Sequence, residues 1–176
     1  MDDFLVLTAV GNDRPGIVDK LSMTILENGC NIVDCRMTVL GGEFAVMLLI
    51  SGKWNSLVKL EDGLSKLEQE LVLRITSTRT KQGASAHNLM PYNVEVVAID
   101  HPGIVYQIAS FFSAREINIR ELNTTSYAAA HTGTEMFSML MTVDISSDIR
   151  IASLREEFIE FCDELNVDAV LEPKNI

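Results

Sequence analysis

The sequence has few cysteines and no long apolar segment, and each of these absences excludes a class of protein. Three cysteines among 176 residues are an odd number, which does not suit a disulfide-stapled secreted domain. The N-terminus has neither the positive region nor the small-residue cleavage site of a secretory leader. No apolar run approaches the roughly 20 residues that a membrane-spanning helix needs. We therefore expect a reduced, cytoplasmic protein with no membrane partner.

Positive charge is also scarce. Lys and Arg number 14 against 25 Asp and Glu, which gives a formal net charge of −11 at pH 7. The densest basic stretch holds only Arg74, Arg79 and Lys81, and Thr and Ser residues interrupt it. A negative field repels the phosphates of nucleic acids. We therefore expect no direct binding to nucleic acid.

Motifs that carry catalysis or hold a cofactor are missing as well. The sequence contains no Gly-x-Ser-x-Gly, Walker loop or dinucleotide fingerprint, and no His or Cys set at metal-ligand spacing. Cys30 and Cys35 could form a metal or redox pair, but no second pair completes such a site, so we expect them to be small buried residues. The chain is therefore predicted not to be an enzyme and to need no cofactor or metal.

A repeated segment is the most informative feature that the sequence does contain. Asp-Arg-Pro-Gly-Ile-Val, beginning at Asp13, recurs with one substitution beginning at Asp100. The pair Asn31-Ile32 recurs as Asn118-Ile119 at the same offset of 87 residues. Two matched anchors at one offset indicate an internal duplication.

Each copy alternates strand and helix patterns. A short apolar run, a Pro-Gly turn, an apolar helix face, a two-stranded hairpin, a second helix and a closing strand follow in that order. This β-α-β-β-α-β order predicts an α+β protein of two ferredoxin-like domains, each with two helices on one face of an antiparallel four-stranded sheet. We expect domain 1 at 1–80, a linker at 81–91 and domain 2 at 92–176. One leucine stripe suits core packing better than a coiled coil of two heptads (Leu57, Leu60, Leu64, Leu67, Leu71).

The two copies also differ. His101 stands in the second copy where Arg14 stands in the first. Six extra residues lengthen the second hairpin around 126–133. The second copy is therefore expected to differ from the first in its ligand, or to hold none.

The chemistry of the repeated turn suits a free amino acid. A helix N-terminus presents unsatisfied N–H groups and partial positive charge to a carboxylate. Glycine lets a ligand approach the backbone, an Asp carboxylate can pair with an ammonium group, and an Asn amide can donate and accept hydrogen bonds. The residues concerned are Asp13, Gly16 and Asn31 in the first copy and Asp100, Gly103 and Asn118 in the second. The alternative is that the Pro-Gly turns are only structural.

These residues resemble a known family. Asp-Arg-Pro-Gly-Ile-Val, a helix of about three turns and then Gly-Cys-Asn-Ile are similar to the ACT domain, a regulatory module that senses amino acids. The resemblance covers nearly the whole chain as two tandem copies. It implies ligand contacts from Asn12, Asp13, Arg14, Gly16 and Asn31, and from Asp100, His101, Gly103 and Asn118. Gly11 and Ala98 depart from the pattern, since some ACT domains have a polar side chain there.

An acidic pair of ACT domains without a catalytic domain is similar to a family of repressors of the glycine cleavage operon. That resemblance implies a small amino acid as ligand, with glycine suspected, and a transcriptional activator protein as partner. The alternative is a regulatory subunit that binds an amino acid and docks on a metabolic enzyme. The sequence leaves open whether two chains form a homodimer.

Overall fold

In both repeats, apolar residues at alternate positions of the first strand give the sheet one face that must be covered. The computed structural model describes residues 3–81 and 88–174. These residues divide into two compact units, one on each side of 82–87. The order β-α-β-β-α-β holds in each unit, which confirms the prediction of two ferredoxin-like folds.

The elements of the two units correspond one to one. Unit 1 consists of β1 (Asp3–Asn12), α1 (Ile17–Glu27), β2 (Asn31–Leu40), β3 (Glu43–Gly52), α2 (Trp54–Leu71) and β4 (Arg74–Thr80). Unit 2 consists of β5 (Leu89–Ile99), α3 (Ile104–Ser113), β6 (Asn118–Ala128), β7 (Glu135–Ser146), α4 (Ile151–Glu164) and β8 (Asp168–Pro173).

Each sheet is antiparallel, and the first strand of the unit occupies a central position. The strand orders are β2-β3-β1-β4 and β6-β7-β5-β8. Every second residue of β1 faces the helices, and Leu5, Leu7 and Ala9 are fully buried there. The chain must therefore leave the end of a central strand and return as a helix across the buried face.

The core of unit 1 contains the predicted leucine stripe. All five residues of the leucine stripe on α2 are buried, which confirms core packing for that stripe. The core of unit 2 is more aromatic, and the rings of Phe111, Phe112 and Phe158 pack with centroids 5.1 to 5.3 Å apart. Aromatic pairs at this distance stabilise a core beyond the area that they bury.

The first strand of unit 2 begins earlier than its apolar pattern predicts. The sequence places a linker at 81–91, whereas β5 starts at Leu89 and covers the end of that predicted linker. Leu89, Met90 and Pro91 pair with the final residues of β7, so pairing rather than apolar alternation extends the strand. The middle of the predicted linker, 82–87, lies outside the described residues.

A β-bulge is duplicated together with the fold. The register of β2 against β3 shifts at Val33, and that of β6 against β7 shifts at Arg120. A bulge re-aims the side chain at the irregularity. In unit 2, Arg120 pairs with the buried Asp144, with Nη2 2.7 Å from Oδ1 and Nε donating to Oδ2 at 3.0 Å.

The cysteines do not all share one environment. Cys30 and Cys162 are buried and Cys35 is exposed on β2, and all three are free thiols. Burial raises the pKa of Cys30, and it raises the pKa of Cys162 to about 12. The prediction of a buried cysteine is therefore confirmed for Cys30 and wrong for Cys35, because β2 is an edge strand.

The helix ends use different residues for the same left-handed backbone. After α1 and α3 the positive φ falls on Gly29 (70°) and Glu116 (56°). After α2 and α4 it falls on Val72 (54°) and Asn166 (54°). Glycine and asparagine tolerate this conformation, whereas a β-branched residue is strained in it. Unit 1 therefore carries its strain at Val72.

We expect Val72→Gly to raise the free energy of unfolding by about 1 kcal/mol, because it relieves the left-handed strain. Little packing is lost, since the Val72 side chain is 79% exposed. The reverse change in unit 2, Asn166→Val, should lower stability by a similar amount. Urea denaturation measures both. Destabilisation by Val72→Gly would show that this helix end carries no strain.

Candidate functional site

The turn of unit 1 lies where β1 meets the tip of the β2–β3 hairpin. Asn12 is the last residue of β1, and its side-chain amide donates a hydrogen bond to the Glu43 carboxylate. The backbone N–H of Asp13 donates to the Gly42 carbonyl at 3.0 Å. Two hydrogen bonds therefore hold the turn against the hairpin.

Gly16 completes the turn and begins the helix. Its φ of 92° is left-handed, and its carbonyl accepts the first helical hydrogen bond from Lys20 N–H at 3.0 Å. An added Cβ would meet nothing within 4 Å, so backbone conformation rather than space requires glycine. No side chain among the described residues caps the N-terminus of α1. Its first N–H groups remain available to a ligand.

Besides Asp19 in the first turn of α1, Asp13 is an acidic group close in sequence to this helix end. It is exposed, and its carboxylate makes no hydrogen bond or ion pair within 3–81 and 88–174. A carboxylate in the turn that leads into uncapped N–H groups places negative and positive charge in one short segment. That arrangement complements the ammonium and carboxylate groups of a free amino acid.

The side chain of Arg14 makes its hydrogen bonds to α2. Its Nη2 donates to the Leu71 carbonyl at 2.8 Å and to the Glu70 carbonyl at 3.4 Å, both at the end of α2. A guanidinium at this position satisfies orphan carbonyls and complements the negative end of the helix dipole. In this structure Arg14 therefore ties the turn to α2, and its side chain is not free for the predicted ligand contact.

Close packing at the same junction explains Gly11. A Cβ on Gly11 would lie 2.7 Å from Leu73 Cδ2 and 3.0 Å from the Val72 carbonyl oxygen. The end of α2 thus leaves no room for the polar side chain that some ACT domains carry there. The departure from the pattern has a steric cause.

The turn of unit 2 repeats the backbone with different side-chain contacts. Asp100 N–H donates to the Glu135 carbonyl at 2.9 Å, and Gly103 has a φ of 101°. Asp100 Oδ2 accepts a hydrogen bond from the Ser126 hydroxyl at 3.0 Å. His101 Nδ1 lies 3.2 Å from the adjacent Pro102 carbonyl oxygen. The Asp100 carboxylate therefore already has one hydrogen-bond partner. His101 does not repeat the hydrogen bonds that Arg14 makes to a neighbouring helix.

The structure does not bring the predicted asparagine to the turn of its own unit. Asn31 begins β2 and pairs with Ser51, which pairs with Phe4 at the start of β1. Asn12, next to the turn, lies eight residues farther along β1, about 27 Å at the rise of an antiparallel strand. A ligand held by one turn therefore cannot reach the asparagine of the same unit.

The same separation exists in unit 2. Asn118 pairs with Asp144, which pairs with Pro91, and the turn follows Ile99, eight residues farther along β5. The residues that do lie beside the turns, Glu43 and Ser126, were not predicted. Strand register alone could have found them, because an antiparallel hairpin places its tip beside the end of the central strand.

Neither a metal-binding cluster nor a membrane-spanning helix is found in the described part of the chain. In residues 3–81 and 88–174, no three His, Cys, Asp or Glu side chains converge to hold a metal ion. Within these same ranges, no helix has the length and apolar character needed to cross a bilayer.

Arg14→Ala should lower the free energy of unfolding by about 1 kcal/mol, because it leaves the last carbonyls of α2 without a charged donor. His101→Ala is the matched change in unit 2, and we expect an effect below about 0.5 kcal/mol. Urea denaturation of both variants measures the difference. Equal effects would contradict the structural role of Arg14.

Comparison with known proteins agrees with this architecture. The ACT domain family matches residues 3–78. The glycine cleavage system transcriptional repressor of Escherichia coli (strain K12) is 32% identical over 174 residues, which cover 98% of this chain and 90% of that protein.

Solved structures extend the similarity to both units. A crystal structure of an unknown protein from Galdieria sulphuraria has a TM-score of 0.81 and 25% identity, over 99% of this chain and 100% of that one. A protein provisionally assigned as a glycine cleavage system transcriptional repressor has a TM-score of 0.76 and 28% identity, over 100% and 99% of the two chains. The chain therefore belongs to the family of the glycine cleavage system transcriptional repressor, with tandem ACT folds.

Proposed function

We propose that the chain is a non-catalytic sensor that binds a small amino acid, with glycine as the first candidate, and represses transcription of the glycine cleavage operon. Repression works by binding a transcriptional activator rather than DNA. One observation carries the ligand part of the proposal: the exposed Asp13 belongs to the turn that leads into the uncapped N-terminus of α1. The name of the Escherichia coli relative supports the operon, and glycine is the first candidate ligand because that system cleaves it.

Ligand recognition follows from the charges at the turn. The amino acid carboxylate accepts hydrogen bonds from the first N–H groups of α1, where the helix dipole is positive. The ammonium group pairs with Asp13. Gly16 has no neighbour within 4 Å of an added Cβ, so its surroundings are open to a small ligand. Arg14 positions the turn through α2, and Asn12 positions it through Glu43.

The two units should bind with different affinities. Asp13 has no partner within the described residues, whereas Asp100 already accepts a hydrogen bond from Ser126. An ammonium group at the second turn must share or displace that hydroxyl. The tie from Arg14 to α2 also holds the first turn in place before the ligand arrives. Unit 1 is therefore the stronger site in this proposal.

The charge of the chain supports a protein partner. A net charge of −11 disfavours approach to DNA, so control of transcription requires an intermediary. The amino acid alters this contact only as far as it binds one state of the sensor more tightly than the other. Capture of a metabolic enzyme without any transcription factor would instead favour the regulatory-subunit alternative.

Calorimetric titration with each proteinogenic amino acid tests the ligand part. We expect glycine or another small amino acid to bind, and Asp13→Asn to weaken that binding roughly tenfold or more, since a charged hydrogen bond is lost. Asp100→Asn should have a smaller effect. Asp62→Asn, on the exposed face of α2, is the matched control and should leave affinity unchanged.

Two results would contradict the proposal in different ways. No heat of binding with any amino acid would reject the sensor function. Binding that Asp13→Asn and Asp100→Asn both leave unchanged would keep the function but remove the ligand from these turns.

A further inference from the structure

A groove between α3 and α4 of unit 2 takes no part in the proposed ligand site. Its volume is about 570 Å³, and it lies on the helical face of the unit. Phe111 and Phe161 line it with Ala114, and Tyr106 stands at its edge with 76% of its surface exposed. An exposed aromatic side chain next to an apolar floor is typical of a surface that receives another chain.

The rim of this groove is acidic. Glu157, Glu160 and Glu164 line it from α4, and all three are exposed. Arg115 is the cation of the groove, and it is fully engaged: Nη2 lies 2.8 Å from Glu157 Oε2, and the guanidinium stacks 3.7 Å from the Phe111 ring centroid. Glu160 and Glu164 have no cationic partner in the described part of the chain. The unpaired charge of the groove is therefore negative.

The matching face of unit 1 carries different side chains at several of these positions. With the repeated turn and the apolar stripes as reference, Thr24 stands where Phe111 stands, and Lys66 stands where Glu160 stands. Lys20 bridges α1 to Glu70 of α2 at 2.9 Å. Its counterpart in unit 2 is Gln107, whose Oε1 is buried without a hydrogen-bond partner within 88–174. At the positions of Phe111 and Glu160, unit 2 is therefore more apolar and more acidic than unit 1.

We propose that this α3–α4 groove is the docking site for a basic amphipathic helix of a partner protein. Apolar side chains of that helix would contact Ala114, Phe161 and Tyr106, as in other helix-in-groove complexes. Its Lys and Arg side chains would pair with the free carboxylates of Glu160 and Glu164. Charge complementarity argues against a second copy as occupant, because each copy would bring the same carboxylates and a net charge of −11.

This inference rests on the proposed function in one respect: the groove is taken as the surface by which the proposed sensor contacts its partner. The test below uses neither an amino acid nor the activator. Its failure would remove the groove as the contact surface and leave amino acid sensing untouched, whereas failure of the calorimetric experiment would leave the groove in place.

Fluorescence anisotropy with a designed peptide tests the groove on the full chain. The probe is a labelled peptide of roughly 18 residues with Leu and Lys at helical spacing, and its counterpart carries Glu in place of Lys. At about 0.15 M salt we expect the Lys peptide to bind at least roughly tenfold more tightly than the Glu peptide. The double variant Glu160→Lys, Glu164→Lys should weaken Lys-peptide binding roughly tenfold or more. Tyr106→Ala should also weaken it, without disturbing the core.

A double variant in unit 1 provides the matched control. Glu27→Lys with Asp62→Lys makes the same change in net charge on exposed helix positions, and it should alter affinity less than about twofold. Equal loss in both double variants would show only general charge attraction and would overturn the proposal. Absence of binding to the unmodified chain, or binding that the groove variants do not change, would overturn it as well.

Discussion

Full burial of one face of each central strand is the constraint on which the rest of the structure depends. Leu5, Leu7 and Ala9 of β1 are completely buried, so the chain must reverse after β1 and return as a helix over that face. The reversal uses a left-handed Gly16, and it leaves the N-terminus of α1 exposed at the end of the sheet. A requirement of folding therefore creates the polar turn that we propose as the ligand site.

Local sequence patterns predicted the elements well because they depend on nearby residues. Alternation, Pro-Gly turns and the leucine stripe of α2 each reflect burial or backbone conformation within a few residues. The start of β5 at Leu89 was missed because pairing with β7, rather than apolar alternation, sets it. Which side chains meet at the turn was harder to predict from the sequence. Arg14 contacts the end of α2, and Asn31 lies at the end of the sheet away from the turn.

Duplication gave two copies of one fold, and side-chain contacts then made them different. The turn of unit 1 is tied to α2 by Arg14, whereas in unit 2 Ser126 contacts Asp100 from the longer hairpin. The helical faces also differ: the aromatic groove with an acidic rim lies on unit 2. This division suits a sensor in which one unit holds the ligand more tightly and the other contacts the partner.

We propose that an amino acid binds at the turn between β1 and α1. Amide chemical shifts of the ¹⁵N-labelled chain, recorded during titration with glycine and then with other amino acids, test this claim most directly. Binding at this turn should give saturable shifts concentrated in residues 13–19, with weaker shifts in 100–106. Saturable shifts that are confined to other parts of the chain, or no shifts with any amino acid, would contradict it.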